Sequence, residues 1–186
     1  MTAAHFDAAL NLLIAELVKP SGPKPQWKPT LCGSLPIRID AQAKWWHDGK
    51  EVTRQSIVKL WASVLKVDYG EPQDFLLPNY RLVTPVEDIQ IYVEDAPFVI
   101  THWQEHMIGD ESVIVAIDNL GRAWPVCEQF PLILREYQSQ TVPYVVLARN
   151  LLARVQRNVF YQWAERVTEN AGTYWLMSAK TSFKLA

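Results

Sequence analysis

An internal echo constrains this chain more than any other feature. Laid over itself without a gap, in the register that sets Arg54 on Arg149, segment 31–65 matches segment 126–160 in chemical character. Cys32 falls on Cys127, Pro36 on Pro131 and Val64 on Val159. The apolar pattern follows: Leu31, Leu35, Ile37 and Ile39 fall on Val126, Phe130, Leu132 and Leu134. Further on, Ile57, Leu60 and Leu65 fall on Leu152, Val155 and Phe160. Self-similarity at one offset means that two copies of a supersecondary unit bury equivalent faces, so it bears on architecture before any local element does. The echo predicts a duplicated unit, with Arg54 and Arg149 at equivalent positions.

The 186 residues suffice for one domain or two small ones. A chain of this size buries roughly 70% of its unfolded surface, so it needs no staples. A hydrophobic content of 49% with eight Trp excludes a disordered chain. The formal net charge of −2 gives no basic footprint, so nucleic acid is not an expected partner. Two cysteines without metal spacing make neither a disulfide framework nor a zinc site. No apolar run approaches the ~20 residues of a membrane span, and none follows a basic N-terminal stretch as a secretory leader requires. A cytoplasmic location is expected, with no membrane partner.

Phe6, Leu10, Leu13, Ile14 and Leu17 recur at helical spacing and predict a helix over 5–18. The run from Pro20 to Pro25 breaks it. Leu35, Ile37 and Ile39 alternate as a half-buried strand does, and Asp48-Gly49 between short flanks is a hairpin turn signal. A helix over 55–66 follows. Gly70, Pro72 and Pro78 mark a loop over 67–80 and a domain boundary. Beyond it, strands are expected at 81–84, 89–94, 98–103, 112–118, 132–137 and 144–148, then a helix over 150–167 and a closing strand at 174–177. Strands joined by hairpins with segregated helices give an α+β class. The expected domains are 1–78, with helix, hairpin and helix, and 79–186, with antiparallel strands closed by a long helix.

Several constellations carry potential chemistry. His102-Trp103-Gln104-Glu105-His106 matches an inverted zinc-protease pattern, which needs both imidazoles one turn apart on a helix. Its β context instead suggests the tip of a hairpin. His47 beside the Asp48-Gly49 turn has an imidazole suited to ligand contact or to base chemistry, the competing and favoured role being a bond to backbone at the hairpin. Arg54 with Gln55, and Arg149 with Asn150, open the expected helices, where guanidinium and helix amides together grip an anion, or where each arginine forms an internal salt bridge to Glu51, Glu87, Glu94 or Asp95. Arg81 heads a strand, and Glu94-Asp95 sets two carboxylates at a strand end, where such a pair either does acid–base work or, more often, caps a turn or pairs with arginine. Arg154 and Arg157 read as a solvated helix face. Glycine-rich phosphate loops and Gly-x-Ser-x-Gly are not found.

The stretch Trp45-Trp46-His47-Asp48-Gly49-Lys50-Glu51-Val52-Thr53-Arg54 resembles the signature of an uncharacterised bacterial family, domain of unknown function 1285. So do Thr84-Pro85 with Glu94-Asp95-Ala96-Pro97-Phe98, and Pro143-Tyr144 with Ala148-Arg149. Trp27, Pro29, Cys32 and Gly33 add to the likeness, which runs from residue 25 onward. Glu51 departs from it, standing where the pattern has proline. The resemblance implies a duplicated α+β core with a C-terminal half superficially similar to pleckstrin-homology-like folds. It also implies an anionic, nucleotide-like ligand between the halves, and a signalling role.

The expectation is therefore a non-enzymatic binding or regulatory module. Its expected ligand site comprises His47, Arg54, Arg81, Glu94, Asp95, Arg149 and Asn150, with no cofactor or protein partner specified. The alternative is an enzyme using His47 or the Glu94/Asp95 pair, or a metal at His102 and His106.

Overall fold

In the computed structural model, residues 2–69 and 79–185 are described. The expected loop over 67–80 therefore lies largely outside the described residues. The chain forms two compact units. The N-terminal unit comprises Pro20–Pro97 with Arg149–Leu151, and the C-terminal unit Met1–Lys19, Phe98–Ala148 and Leu152–Ala186.

The N-terminal unit contains β1 (Leu31–Ile39), β2 (Trp45–His47), β3 (Lys50–Glu51), α2 (Gln55–Val64), β4 (Leu65–Asp68), β5 (Asn79–Val83) and β6 (Glu87–Val93). Its sheet runs β3-β2-β1-β6-β5-β4, and its central pair, β1 with β6, is parallel while every other pair is antiparallel. The Asp48-Gly49 turn closes β2 on β3 with His47 opposite Lys50, both turn residues having positive φ, as a two-residue hairpin requires. Helix α2 buries Val58 and Ala62, and Trp45 is buried with its ring 5.7 Å from that of Trp61. Ile37, Ile39, Leu65, Tyr80, Leu82 and Ile91 complete this core.

The C-terminal unit holds α1 (Ala3–Leu17), β7 (Phe98–Ile108), β8 (Glu111–Asp118), β9 (Ala123–Pro125), β10 (Leu132–Tyr137), β11 (Gln140–Val146), β12 (Leu152–Val155) and α3 (Arg157–Ala164). A second sheet follows, of β13 (Thr168–Asn170), β14 (Thr173–Ser178) and β15 (Thr181–Lys184). The larger sheet runs β10-β11-β12-β7-β8-β9, again with one parallel pair, β12 with β7, at its centre. Helix α1 packs against β7 and β9 and buries Phe6 and Leu13. Buried Ser178 ties the two sheets together: its hydroxyl donates to the Val126 carbonyl and accepts from the Ile114 amide, at 2.6 and 2.8 Å.

The α+β class and the duplication both hold. In each large sheet the first and last of its six strands pair in parallel at the centre, and hairpins extend outward on both sides. The repeat register is different from the expected one. The topology sets β1 against β7 and β6 against β12, whereas the Arg54-on-Arg149 register sets helix α2 against residues 150–159, which include all of strand β12. The helices themselves are not equivalent: α2 precedes the fourth strand of its sheet, and α3 follows the sixth.

Three other expectations are corrected. The helix expected over 150–167 is strand β12 followed by the shorter α3. Leu152, Ala153 and Val155 are buried between β11 and β7, and Arg149 and Asn150 have φ of 64° and 57°, which no right-handed helix tolerates. His102 to His106 lies within β7, with the hairpin tip beyond it at Gly109 and Asp110. The boundary expected after residue 78 falls between Pro97 and Phe98, because β5 and β6 complete the sheet of β1, and α1 belongs to the C-terminal unit.

One local device occurs in both units. Asp40 Oδ1 accepts from the amides of Gln42 and Lys44, and Oδ2 from the indole of Trp46. Asp118 Oδ1 accepts from the amides of Leu120 and Arg122, and Oδ2 from the indole of Trp124 and the Arg122 guanidinium. Each aspartate opens a hairpin whose third following residue, Ala43 or Gly121, has positive φ. The carboxylate thus satisfies turn amides that have no strand partner.

Candidate functional site

Every residue expected at the site lies in the N-terminal unit. His47 ends β2, its ring edge-on to Trp61 at 6.1 Å and its Nε2 3.7 Å from Asp48 Oδ2. Arg54 is the exposed residue before α2, and its side chain makes no capping bond. Arg81 donates twice to Asp88 on neighbouring β6 and reaches Asp68 of β4 at 3.5 Å. The hydrogen bond to Asp88 lifts its pKa above the ordinary arginine value, so Arg81 is an ion-pair strut across three strands. Three strand steps separate β2 from β5. That puts the His47 backbone about 14 Å from that of Arg81 across the sheet.

Glu94 is exposed and accepts from the Ala41 amide at 3.2 Å, while Asp95 beside it is half-buried. Arg149 donates to the Leu65 carbonyl, to the Ala62 carbonyl at 3.3 Å and to Ser21 Oγ at 3.4 Å. Those carbonyls belong to the last turn of α2 and the residue after it, where a helix has no acceptors' partners of its own. Arg149 is a clamp on that helix end. The Asn150 carbonyl accepts from the Tyr69 hydroxyl at 2.6 Å.

His102 and His106 sit four residues apart on β7, opposite Ile117 and Val113. At ~3.3 Å per residue their backbones are about 13 Å apart, whereas one metal needs both imidazoles within a few ångströms. Among the described residues no group of three His, Cys, Asp or Glu could hold a metal ion.

The C-terminal unit carries a cleft of about 690 Å³ between the β10–β11 hairpin, the end of β12 and the first turns of α3. Its volume suits a small-molecule ligand. The strand contributes Arg154, whose guanidinium lies 5.5 Å from the centre of the Tyr137 ring. The helix contributes exposed Arg157 and the paired rings of Phe160 and Tyr161, 5.7 Å apart and edge to face. Gln138, Gln140, Thr141 and Gln156 supply amides and a hydroxyl, and none of the lining residues is acidic. The hairpin turns through Gln138 and Ser139, with φ of 49° and 61°, where asparagine and glycine are the favoured pair. A glutamine held there carries a local penalty, the kind of departure that gathers at ligand sites.

The sequence reading assigned Arg154 and Arg157 to a solvated helix face. The signal it lacked is the strand: with residues 152–155 extended, Arg154 lies beside Tyr144 of β11, and only Arg157 is helical.

Two family models described as domain of unknown function (DUF1285), N-terminal domain and C-terminal domain, match residues 22–96 and 97–185. Among solved structures, a DUF1285 family protein from Silicibacter pomeroyi DSS-3 is similar at 28% identity and a TM-score of 0.76, covering 93% of this chain and 92% of that one. A DUF1285 family protein from Shewanella baltica OS155, at 22% identity and a TM-score of 0.53, covers 70% of this chain and 91% of that one, and shares the fold. No curated protein matches this chain.

Proposed function

Because the chain belongs to the DUF1285 family, described only as of unknown function, we propose from its own geometry that it is a non-enzymatic module binding a small anionic ligand in the cleft of its C-terminal unit. The observation that carries this is two guanidinium groups and no carboxylate around one small-molecule-sized recess. Arginine keeps its charge at every relevant pH and forks onto phosphate or carboxylate oxygens. Nothing in this arrangement pairs a nucleophile with a base, as covalent or acid–base catalysis requires. The output of such a module is occupancy rather than turnover, which fits a role in cytoplasmic signal transduction. No helix of the described chain is long and apolar enough to cross a membrane.

Thermal shift of the purified chain tests this reading. Inorganic phosphate, pyrophosphate and phosphorylated metabolites are titrated against the wild type and Arg157→Gln. A ligand at a hundred times its Kd adds about 2.7 kcal/mol, a readable shift. Stabilisation by at least one anion, lost in Arg157→Gln, is the expected result. A stabilisation that survives that change places the anion elsewhere, and none at all removes the reading.

A further inference from the structure

Resting on that reading of the cleft, we infer that its ligand is a flat aromatic ring bearing an oxyanion, rather than a bare inorganic anion. The cleft has two chemically different sides. Arg154 and Arg157 supply charge, while Tyr137, Phe160 and Tyr161 supply ring faces within the same recess. A bare phosphate uses only the first.

Tyr161 makes the stronger case. It is 63% exposed although it lies on the same helix as buried Val159 and Trp163. A tyrosine needed for the core would be turned inward, as Trp163 is. Instead its ring meets Phe160 edge to face at the mouth of the cleft, one turn from Arg157. An arginine beside exposed rings is the combination that stacks a planar group while pairing its charge. Gln138 and Gln140 project from the hairpin opposite, with amides suited to the edge of such a ring. Gln138 is already oriented by donating to the Tyr137 hydroxyl at 3.2 Å.

The test titrates phenyl phosphate, inorganic phosphate and phenol into the full chain by calorimetry. Phenyl phosphate is expected to bind about tenfold more tightly than inorganic phosphate, the order of one aromatic stack. Phenol, lacking the charge, is expected to bind more weakly than phenyl phosphate. Tyr161→Ala should erase the tenfold advantage while leaving phosphate affinity unchanged, whereas Arg157→Gln should weaken both phosphates. Equal affinities for the two phosphates, or an advantage that survives Tyr161→Ala, overturn the aromatic assignment and leave the anion reading standing. Failure of both phosphates to bind overturns the anion reading itself. A thymidine oligonucleotide binding more tightly than phenyl phosphate would mark a nucleic-acid track and overturn the small-ligand assignment. Circular dichroism of each variant, expected to match the wild type, confirms that its exposed change leaves the fold intact.

Discussion

Asp118 shows how much one residue does here. Only 1% exposed, it collects four donors: two turn amides, the Trp124 indole and the Arg122 guanidinium. Asp118→Asn keeps the size but replaces one oxygen by a buried donor facing donors, leaving the half-buried Arg122 without its counter-charge. Urea denaturation should show a loss of about 3 kcal/mol, and a loss under ~1 kcal/mol would mean that the turn holds without its carboxylate. The pattern of aspartate, then a cation four residues on, then tryptophan two further is visible in the chain at both Asp40 and Asp118, and a search for turns rather than catalysts would have found it. The cysteines make a second test at this scale. Burial pushes the Cys127 thiol above its ordinary pKa, so its reactive thiolate is scarce near neutrality, while Cys32 is exposed. A thiol reagent at pH 8 should modify one cysteine quickly, Cys32, and reach Cys127 only on unfolding. Two fast equivalents would contradict the burial.

Among the elements, the segment from Arg149 to Ala164 carries the main lesson. Leu152, Val155, Val159 and Trp163 are spaced as a helix spaces its buried face, yet the first two belong to a strand. A strand buried on both sides loses the period-2 alternation that identifies it, so local spacing cannot tell it from helix. Arg149 and Asn150, with their positive φ, turn the chain into that strand, and the Arg149 guanidinium grips the end of α2. Arg149→Leu should therefore lower stability by about 2 kcal/mol in urea denaturation while leaving phosphate affinity untouched. Loss of affinity without loss of stability would return Arg149 to the ligand. Gly22, at φ +123°, points the same way: a Cβ there would lie 2.5 Å from Arg149 Cδ, so Gly22→Ala should destabilise as well.

At the scale of the whole molecule, the large sheet of each unit repeats one topology: a parallel pair formed by the first and last strands of that sheet, flanked by hairpins. Such a pair needs partners far apart in sequence, so the chain must supply all six strands of each large sheet before its centre closes. Helix α1 starts the chain but packs on the C-terminal unit, with Phe6 only 1% exposed. Phe6→Ala should cost about 3–5 kcal/mol. Hydrogen exchange should then quicken in β7 and β9 and stay unchanged in β1 and β2. Faster exchange in β1 instead would place α1 with the N-terminal unit.

By itself the amino-acid sequence determined whatever depends on neighbouring residues: the α+β class, α1 and α2, the Asp48-Gly49 hairpin, and the family through its Trp-His-Asp-Gly and Glu-Asp-x-Pro-Phe stretches. It also carried the fact of duplication, though in the wrong register, because apolar strands matched by character alone align at more than one offset. Only the tertiary structure decided which strands share a sheet, that Arg149 serves a helix end, and that Arg154 and Arg157 meet three aromatic rings in one cleft. Those facts depend on pairings between distant segments, where the free energy comes from burial and hydrogen bonds that no local window contains.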